Sequence, residues 1–203
     1  MINHLQPILK LAVSKEGIIL LPLFDHQAPY ELVTDEASAL KAVAELSKES
    51  ILGFDTETRP SFQKGEFHHA SLLQLASHKK CYLFRLNKIP LSQEIISLLE
   101  NPDIIKVGVG NRDDVIGLQK LKSFTPQGFL DLGEMLRTAN NQTPGLRSLC
   151  GMYLGQRLSK SAKVTNWDNS VLTLQQAKYA ANDAFVSLLI YDVMFPFSLS
   201  KEN

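Results

Sequence analysis

The sequence predicts a single α/β domain, in which a mixed β-sheet carries helices on both faces. Its 203 residues suit one domain with a sizeable hydrophobic core. A content of 44% hydrophobic and 21% charged residues is ordinary for a soluble globular protein and supports that class. Apolar segments first form a predicted strand hairpin and then alternate with helical patterns. This order is typical of a sheet that is covered on both sides.

The first 33 residues are the least regular part of the sequence. Residues 17–24 are mostly apolar and predict a strand, which Pro22 would confine to a sheet edge because proline cannot donate to a neighbouring strand. Residues 30–33 predict a second short strand. We expect residues 1–33 to form an N-terminal arm that packs on the main domain, residues 34–203.

Regular structure is predicted from Thr34 onwards. A capping residue followed by Asp35 and Glu36 indicates a helix start, because acids are favourable in the first helical turn. Near the end of the chain, Thr173 and Gln176 form a capping box that predicts a long helix to about residue 194. Between these helices we predict strands at 51–57, 70–76, 80–84, 104–109 and 127–131, and helices at 92–99, 113–121 and 145–154. A further helix is predicted to follow the 127–131 strand directly and to run to residue 136.

Composition narrows the class of protein without deciding its partners. Basic and acidic residues are equal at 21 each, so net charge neither indicates nor excludes nucleic-acid binding. Cys81 and Cys150 lie in apolar surroundings outside any close Cys/His pattern, which favours two buried thiols in a reducing compartment. No apolar run approaches 18 residues, and the start of the chain does not resemble a signal peptide. We therefore expect a cytoplasmic protein that has no membrane partner.

Two carboxylates stand at the far end of the predicted 51–57 strand. Asp55 and Glu57 are two residues apart, so their side chains point to the same side of a strand. Two neighbouring carboxylates resist ionising together, so this pair requires either a cation or exposure to solvent. By itself the pair is also compatible with a polar strand end that runs into a loop.

A second acidic stretch follows the buried strand at 104–109. Gly110 lets the backbone turn, and Asp113 and Asp114 lie where the next helix is predicted to begin. On that helix Asp114 shares a face with Leu118, four residues further on. The alternative is that both acids simply serve the helix N-terminus, and for Asp113 we favour it.

A third stretch lies inside the long final helix. Tyr179 and Asp183 are four residues apart and so share one helix face. Several alanines around them would let the helix lie close to the sheet, and an aspartate within a helix is not explained by helix propensity. A surface position for Asp183 is the alternative.

Together these stretches resemble the three motifs of the DEDD family of 3′→5′ exonucleases. They read Phe-Asp-Thr-Glu-Thr, Val-Gly-Val-Gly-x-x-x-Asp-x-x-x-Leu and Tyr-Ala-Ala-x-Asp-Ala. The tyrosine four residues before the last aspartate is similar to the tyrosine subclass, which includes ribonuclease D and Werner-type exonuclease domains. Residues 70–76, 81–84 and 165–168 are also similar to Werner-type sequences. The resemblance covers about residues 34–195.

This resemblance implies a fold, a metal site and a role for the tyrosine. The fold is ribonuclease H-like, with a five-stranded mixed sheet and helices on both faces. Tyr179 would orient the attacking water. The implied metal ligands are four carboxylates, which suit two divalent cations, Mg²⁺ or Mn²⁺, about 3.5–4 Å apart. These ligands are Asp55, Glu57, Asp114 and Asp183.

Substrate contacts are expected close to the carboxylates. By analogy with the family, Thr56, Leu73 and Gln74 would lie near the terminal nucleotide. Basic residues between 134 and 168 offer a surface for the phosphate backbone, with a solvated face as the alternative. From this stretch we select Arg157, Lys160 and Lys163. Two aromatic residues of the 59–69 loop would either stack on bases or cover the core, namely Phe62 and Phe67.

The sequence therefore predicts a metal-dependent 3′→5′ exonuclease that acts on single-stranded DNA or RNA ends and releases nucleoside 5′-monophosphates. Two alternatives stay open: ribonuclease D-like RNA trimming, and a catalytically silent nucleic-acid-binding module on the same fold. The chain ends soon after the last motif. We therefore expect it to act without the appended domains of larger relatives, or to be recruited by an unidentified protein partner.

Overall fold

The computed structural model describes residues 10, 13–63, 65–137 and 142–196. They build one six-stranded mixed sheet with helices on both faces. The strands are β1 (Tyr30–Val33), β2 (Ile51–Thr58), β3 (Ala70–Ala76), β4 (Cys81–Arg85), β5 (Ile105–Gly108) and β6 (Phe129–Asp131). The helices are α1 (Lys15–Leu20), α2 (Glu36–Leu46), α3 (Gln93–Glu100), α4 (Asn111–Gln119), α5 (Leu132–Met135), α6 (Leu146–Leu149) and α7 (Leu174–Met194).

The sheet has the order β1-β4-β3-β2-β5-β6. β3 is antiparallel to both β2 and β4, as the predicted hairpin requires, and the other three pairings are parallel. The predicted mixed sheet with helices on both faces is confirmed, but the expected number of five strands is one too low. The additional strand is β1, which pairs with β4 at the sheet edge.

Two layers of buried side chains lie on opposite faces of the sheet. On one face α7 and the segment before it pack on residues such as Leu72, Leu83 and Val107. On the other face α2, α3 and α4 pack on Leu52 and Phe54. Because successive strand residues point to opposite faces, β2 contributes to both layers and is buried over its first four residues. β2 therefore crosses the centre of the domain and ends at the surface.

The contact between β2 and α7 is unusually close. A Cβ atom at Gly53 would lie 2.0 Å from the carbonyl oxygen of Ala184. Ala180, Ala181 and Ala184 are all buried at this crossing, as the predicted close approach of the helix requires. Only a glycine leaves room for the helix backbone here, and the crossing brings Asp183 next to the end of β2.

The N-terminal part of the chain differs from the prediction. Residues 17–24 do not form the predicted strand, because residues 17–20 belong to α1. The Ser14 hydroxyl caps this helix by accepting a hydrogen bond from the Gly17 amide. The helix ends before Pro22, and Leu23 makes a single parallel bridge to Arg157. The proposed division of the chain after residue 33 stays a prediction.

Two helices also differ in their bounds. α4 begins at Asn111 rather than at Asp113, after Gly110 in the left-handed conformation (φ +82°). The predicted helix at 145–154 is α6 followed by a π-helical turn, Cys150–Leu154. Among the described residues, no helix is both long and apolar enough to cross a membrane.

Candidate active site

Three of the predicted carboxylates form one cluster. Asp55 and Glu57 lie in the last half of β2, and Asp183 lies in the middle of α7. Each offers one oxygen such that these atoms all lie within 4.8 Å of one another. Asp183 is only 7% exposed, so the surface alternative for this residue is wrong. All three side chains of this cluster are carboxylates, with no histidine or cysteine among them.

The cluster is electrostatically unfavourable without a cation. Burial raises the pKa of Asp55 well above its usual range, and the neighbouring carboxylates of Asp114, Asp183 and Glu57 raise it further. Burial and the same kind of repulsion raise the pKa of Glu57 to about 9. Burial raises the pKa of Asp183 to about 7, although a hydrogen bond from Tyr179 opposes the shift. Like charges brought together in a buried place favour a bound cation.

Asp114 reaches the same region from α4. The Thr56 hydroxyl, on β2 between the two clustered acids, donates a hydrogen bond to the Asp114 carboxylate. Burial raises the pKa of Asp114 to about 6, and this hydrogen bond opposes the shift. Thr56 was expected near the terminal nucleotide. In the structure its hydroxyl links β2 to α4.

Asp131 holds the start of α4 in place and was not selected from the sequence. Its Oδ2 accepts hydrogen bonds from the amides of Gly110 and Asn111, at 2.9 and 3.0 Å. Its Oδ1 accepts from the amides of Gly133 and Glu134 at the start of α5. The carboxylate therefore ties the end of β6 to two helix starts, one of which carries the acid next to Thr56. The signal in the sequence is an aspartate directly before a predicted helix, which is a common capping position.

Tyr179 lies one helical turn before Asp183 on the same face of α7. Its ring is half-buried and packs 6.1 Å from the ring of Trp167, which is fully buried. Burial and the charges of Asp183, Glu57 and Asp55 raise the pKa of Tyr179 above its ordinary value. At neutral pH this tyrosine is therefore a protonated hydroxyl that donates a hydrogen bond.

The basic residues predicted to bind the phosphate backbone differ in what they contact. Lys163 is exposed, and its charge lowers the pKa of both Glu57 and Asp183, so it faces the cluster. Arg147, which we did not select, also lowers the pKa of Asp183. Arg157 instead donates from Nε to the carbonyl oxygen of Leu21 at 3.0 Å and so holds the N-terminal segment. Lys160 is exposed.

The remaining predicted contacts lie on β3 and in the loop after β2. Leu73 and Gln74 are fully buried. Neither aromatic residue of the loop covers the core: Phe62 is 81% exposed, and Phe67 is 55% exposed. The ring of Phe67 lies 4.2 Å from Nζ of Lys120, so it is held against α4.

Comparisons with known proteins agree with this geometry. A family model described as 3′–5′ exonuclease matches residues 30–196. The chain belongs to this 3′–5′ exonuclease family. The resemblance to Werner-type exonucleases is confirmed by a relative in Mus musculus, the bifunctional 3′–5′ exonuclease/ATP-dependent helicase WRN. It is 36% identical over 154 residues, which are 72% of this chain and 11% of the mouse protein.

Two solved structures show the same fold. The Nibbler EXO domain of Aedes aegypti has a TM-score of 0.71 at 23% identity and covers 92% of this chain and 91% of its own. The ribonuclease D of Trypanosoma brucei in complex with RNA U12 has a TM-score of 0.73 at 22% identity and covers 83% of this chain and 63% of its own.

The carboxylates fit the cations that the exonuclease family requires. Members of this family depend on divalent metal, and the chain supplies a carboxylate cluster for it. Hard divalent cations prefer oxygen ligands, which all the clustered side chains provide. The raised pKa values of Asp55 and Glu57 are a second indication of a cation site. Repulsion between the carboxylates causes part of these shifts, and a bound cation removes that repulsion.

Proposed function

We propose that this chain is a 3′→5′ exonuclease that hydrolyses single-stranded DNA or RNA from the 3′ end and releases nucleoside 5′-monophosphates. Its cofactors would be two divalent cations, Mg²⁺ or Mn²⁺. Catalysis would reside in residues 34–203, with the 1–33 arm packed on that domain. Ile18 and Phe24 of the arm are buried, which supports this packing.

One observation carries the proposal. Oxygens of Asp55, Glu57 and Asp183 come within 4.8 Å of one another from two elements that are far apart in sequence. Such a cluster is costly in a metal-free fold, since burial raises the pKa of all three acids and repulsion raises the pKa of Asp55 and Glu57 further. Asp114 is the fourth ligand in the proposal, because its charge raises the pKa of both Asp55 and Glu57.

Divalent cations at such a site supply a nucleophilic hydroxide near neutral pH and a counter-charge for the leaving 3′-oxygen. The chain's own residues hold and orient the reactants. Tyr179 stays protonated, so it does not act as the base. In the metal-free site its hydroxyl donates to Asp183, and with cations on the carboxylates the same hydroxyl would donate to the attacking water and orient it. Its position one turn from Asp183 keeps its hydroxyl at the edge of the carboxylate cluster.

Positive charge next to the cluster supports the binding of a phosphodiester. Lys163 is exposed and close enough to Glu57 and Asp183 to lower the pKa of both. In the proposal Lys163 contacts the phosphate backbone, with Lys160 three residues away on the same segment. Arg157 has a lesser part, because its guanidinium binds Leu21.

A digestion assay tests the proposed function. Single-stranded DNA and RNA oligonucleotides of the same sequence, labelled at the 5′ end, are incubated with Mg²⁺, Mn²⁺ or chelator. We expect a ladder that shortens from the 3′ end only when metal is present. Digestion of RNA alone would favour ribonuclease D-like trimming. Binding of both oligonucleotides without digestion would identify a silent nucleic-acid-binding module and contradict the proposal.

A further inference from the structure

Gln74, on β3, is a buried polar residue that the fold itself does not explain. Its side chain is 0% exposed. Neither its amide oxygen nor its amide nitrogen has a hydrogen-bond partner among the residues that the structure describes. Buried amides are almost always hydrogen-bonded, since an unpaired one destabilises the fold. Gln74 therefore indicates a partner that becomes available in another state of the site.

The strand register shows where that partner lies. Gln74 is directly opposite Asp55 in the antiparallel pairing of β3 with β2. Side chains of directly opposed residues point to the same face, with their Cβ atoms about 4.5–5.5 Å apart. Alternation along β2 places Asp55 on the same face as Gly53, which contacts α7. Gln74 and Asp55 thus share the α7 side of the sheet.

We propose that Gln74 is a positioning residue for Asp55. Its amide nitrogen donates a hydrogen bond to the Asp55 carboxylate when a divalent cation is bound to that carboxylate. This inference rests on the proposed function. One oxygen of Asp55 already accepts a hydrogen bond from the Thr56 amide, at 3.0 Å. A second donor fixes the orientation of the carboxylate, so Gln74 acts through Asp55 and does not touch the nucleotide.

The chain contains a matched control, because it has a second buried glutamine whose amide is fully paired. Gln176 is 3% exposed. Its Nε2 donates to Oγ1 of Thr165 and to the carbonyl oxygen of Asn166, at 2.9 and 3.1 Å. Its Oε1 accepts from the Thr173 amide at 3.0 Å. The two glutamines thus have similar burial and opposite hydrogen bonding.

The experiment compares Gln74→Leu with Gln176→Leu. In chelator, Gln74→Leu should raise Tm by about 2–4 °C, because it removes two unpaired polar atoms from the core. Gln176→Leu should lower Tm, because it leaves the former partners of Gln176 unpaired. Calorimetric titration with Mn²⁺ alone should show an affinity about 10–100-fold weaker in Gln74→Leu and a native affinity in Gln176→Leu.

Several results would overturn the inference. Native Mn²⁺ affinity in Gln74→Leu would show that Asp55 does not depend on Gln74. A lower Tm of that variant in chelator would show that the amide is already paired in the metal-free protein. If Gln74→Leu does not fold, Gln74→Met, which keeps the length of the side chain, is measured in the same way. A native chain that binds no Mn²⁺ would instead contradict the proposed function.

Discussion

The hydroxyl of Thr56 donates a hydrogen bond to the carboxylate of Asp114, and this bond joins the end of β2 to the first turn of α4. Burial raises the pKa of Asp114 to about 6, and the hydrogen bond favours its charged form. Thr56, which lies between Asp55 and Glu57 on β2, thus orients the carboxylate of Asp114 on α4. The contact gives Thr56 a role in the proposed metal site.

The Thr56→Val variant tests this role. Valine keeps the shape of the side chain and removes the donor, so the Asp114 carboxylate loses the group that orients it. We expect kcat and Mn²⁺ affinity to fall about 10-fold, measured by oligonucleotide digestion and calorimetric titration. Thr56→Ser keeps the hydroxyl and should stay close to the native values. Equal activity of the Val and native proteins would remove Thr56 from the site.

Tyr179→Phe should separate catalysis from metal binding. The variant keeps the ring that packs on Trp167 and loses only the hydroxyl. We expect kcat to fall about 10²–10³-fold, as when a hydrogen-bond donor to the reacting atoms is removed. Mn²⁺ affinity should change little, because the carboxylates stay in place. An unchanged kcat would exclude Tyr179 from the mechanism.

Asp55→Ala, in contrast, should lose both activity and the binding of at least one ion.

The metal-free protein should become less stable as pH rises. Burial raises the pKa of Asp114 to about 6, of Asp183 to about 7 and of Glu57 to about 9, and neighbouring carboxylates add to the shifts of Asp114 and Glu57. These folded-state values lie above those of unfolded chains, near 4. The folded protein therefore binds protons more tightly, and stability that is fully present below pH 4 is lost as pH rises through about 6 to 9.

Thermal unfolding in chelator at pH 5, 7 and 9 checks this expectation. One pKa unit corresponds to about 1.4 kcal/mol, so the free energy of unfolding should fall by several kcal/mol, and at most by about 10 kcal/mol, between pH 5 and pH 9. Saturating Mn²⁺ should restore much of the loss at pH 7, since the cation replaces the proton between the carboxylates. A Tm that is independent of pH in chelator would contradict the electrostatic account of the cluster.

Phe62 should contribute to the binding of longer substrates. It is 81% exposed in the loop directly after β2, and the Glu66 carboxylate holds that loop by accepting hydrogen bonds from the Phe62 and Gln63 amides. Base stacking on an aromatic side chain is worth about 1–3 kcal/mol. Phe62→Ala should therefore raise KM for a 12-nucleotide single strand by about 5–150-fold and leave kcat unchanged.

Two controls locate the effect of Phe62. We expect a dinucleotide to occupy the catalytic centre without reaching Phe62, so its KM should be the same in Phe62→Ala and in the native protein. Phe62→Trp keeps a stacking surface and should retain native KM for the longer strand. Equal KM values of native protein and Phe62→Ala on the 12-nucleotide strand would rule out stacking at this position.

Gly53 and Gly117 should respond to alanine in opposite ways. A Cβ at Gly53 meets the Ala184 carbonyl oxygen at 2.0 Å, so Gly53→Ala should destabilise the fold by about 1–3 kcal/mol. A Cβ at Gly117, within α4, meets nothing within 4 Å, so Gly117→Ala should stabilise it by about 0.5–1 kcal/mol. Urea unfolding measures both. Equal stability of Gly53→Ala and native protein would contradict the close contact between β2 and α7.

Local patterns in the sequence were sufficient for most of the fold. The capping box at Thr173 and Gln176 is present, and α7 ends at Met194 as predicted. The strand predicted at 17–24 is wrong because apolar content alone does not distinguish a short strand from a short helix, and the Ser14 cap decides for α1. β1 was expected as a strand, but its pairing with β4 depends on contacts that lie far apart in sequence.

The spacing of the acids in the sequence agrees with the faces on which the structure places them, while their assignment as metal ligands came from the family resemblance and stays a proposal. Asp55 and Glu57 share a strand face, and Asp183 follows Tyr179 by one helical turn. Asp131 was missed because its four hydrogen bonds to backbone amides depend on how two helix starts converge. Arg157 was assigned to the substrate on charge alone, whereas its position is determined by the backbone of the N-terminal segment.

The crossing of α7 over Gly53 has a consequence for the synthesis of this protein. Asp183 belongs to α7, which is synthesised after all six strands, and it joins Asp55 only after that helix has docked against β2. A nascent chain that has emerged only as far as β6 would carry Asp55, Glu57 and Asp114 but not Asp183, so its proposed active site would be incomplete. The proposed nuclease would thus stay inactive towards nearby transcripts until α7 has been synthesised and has docked.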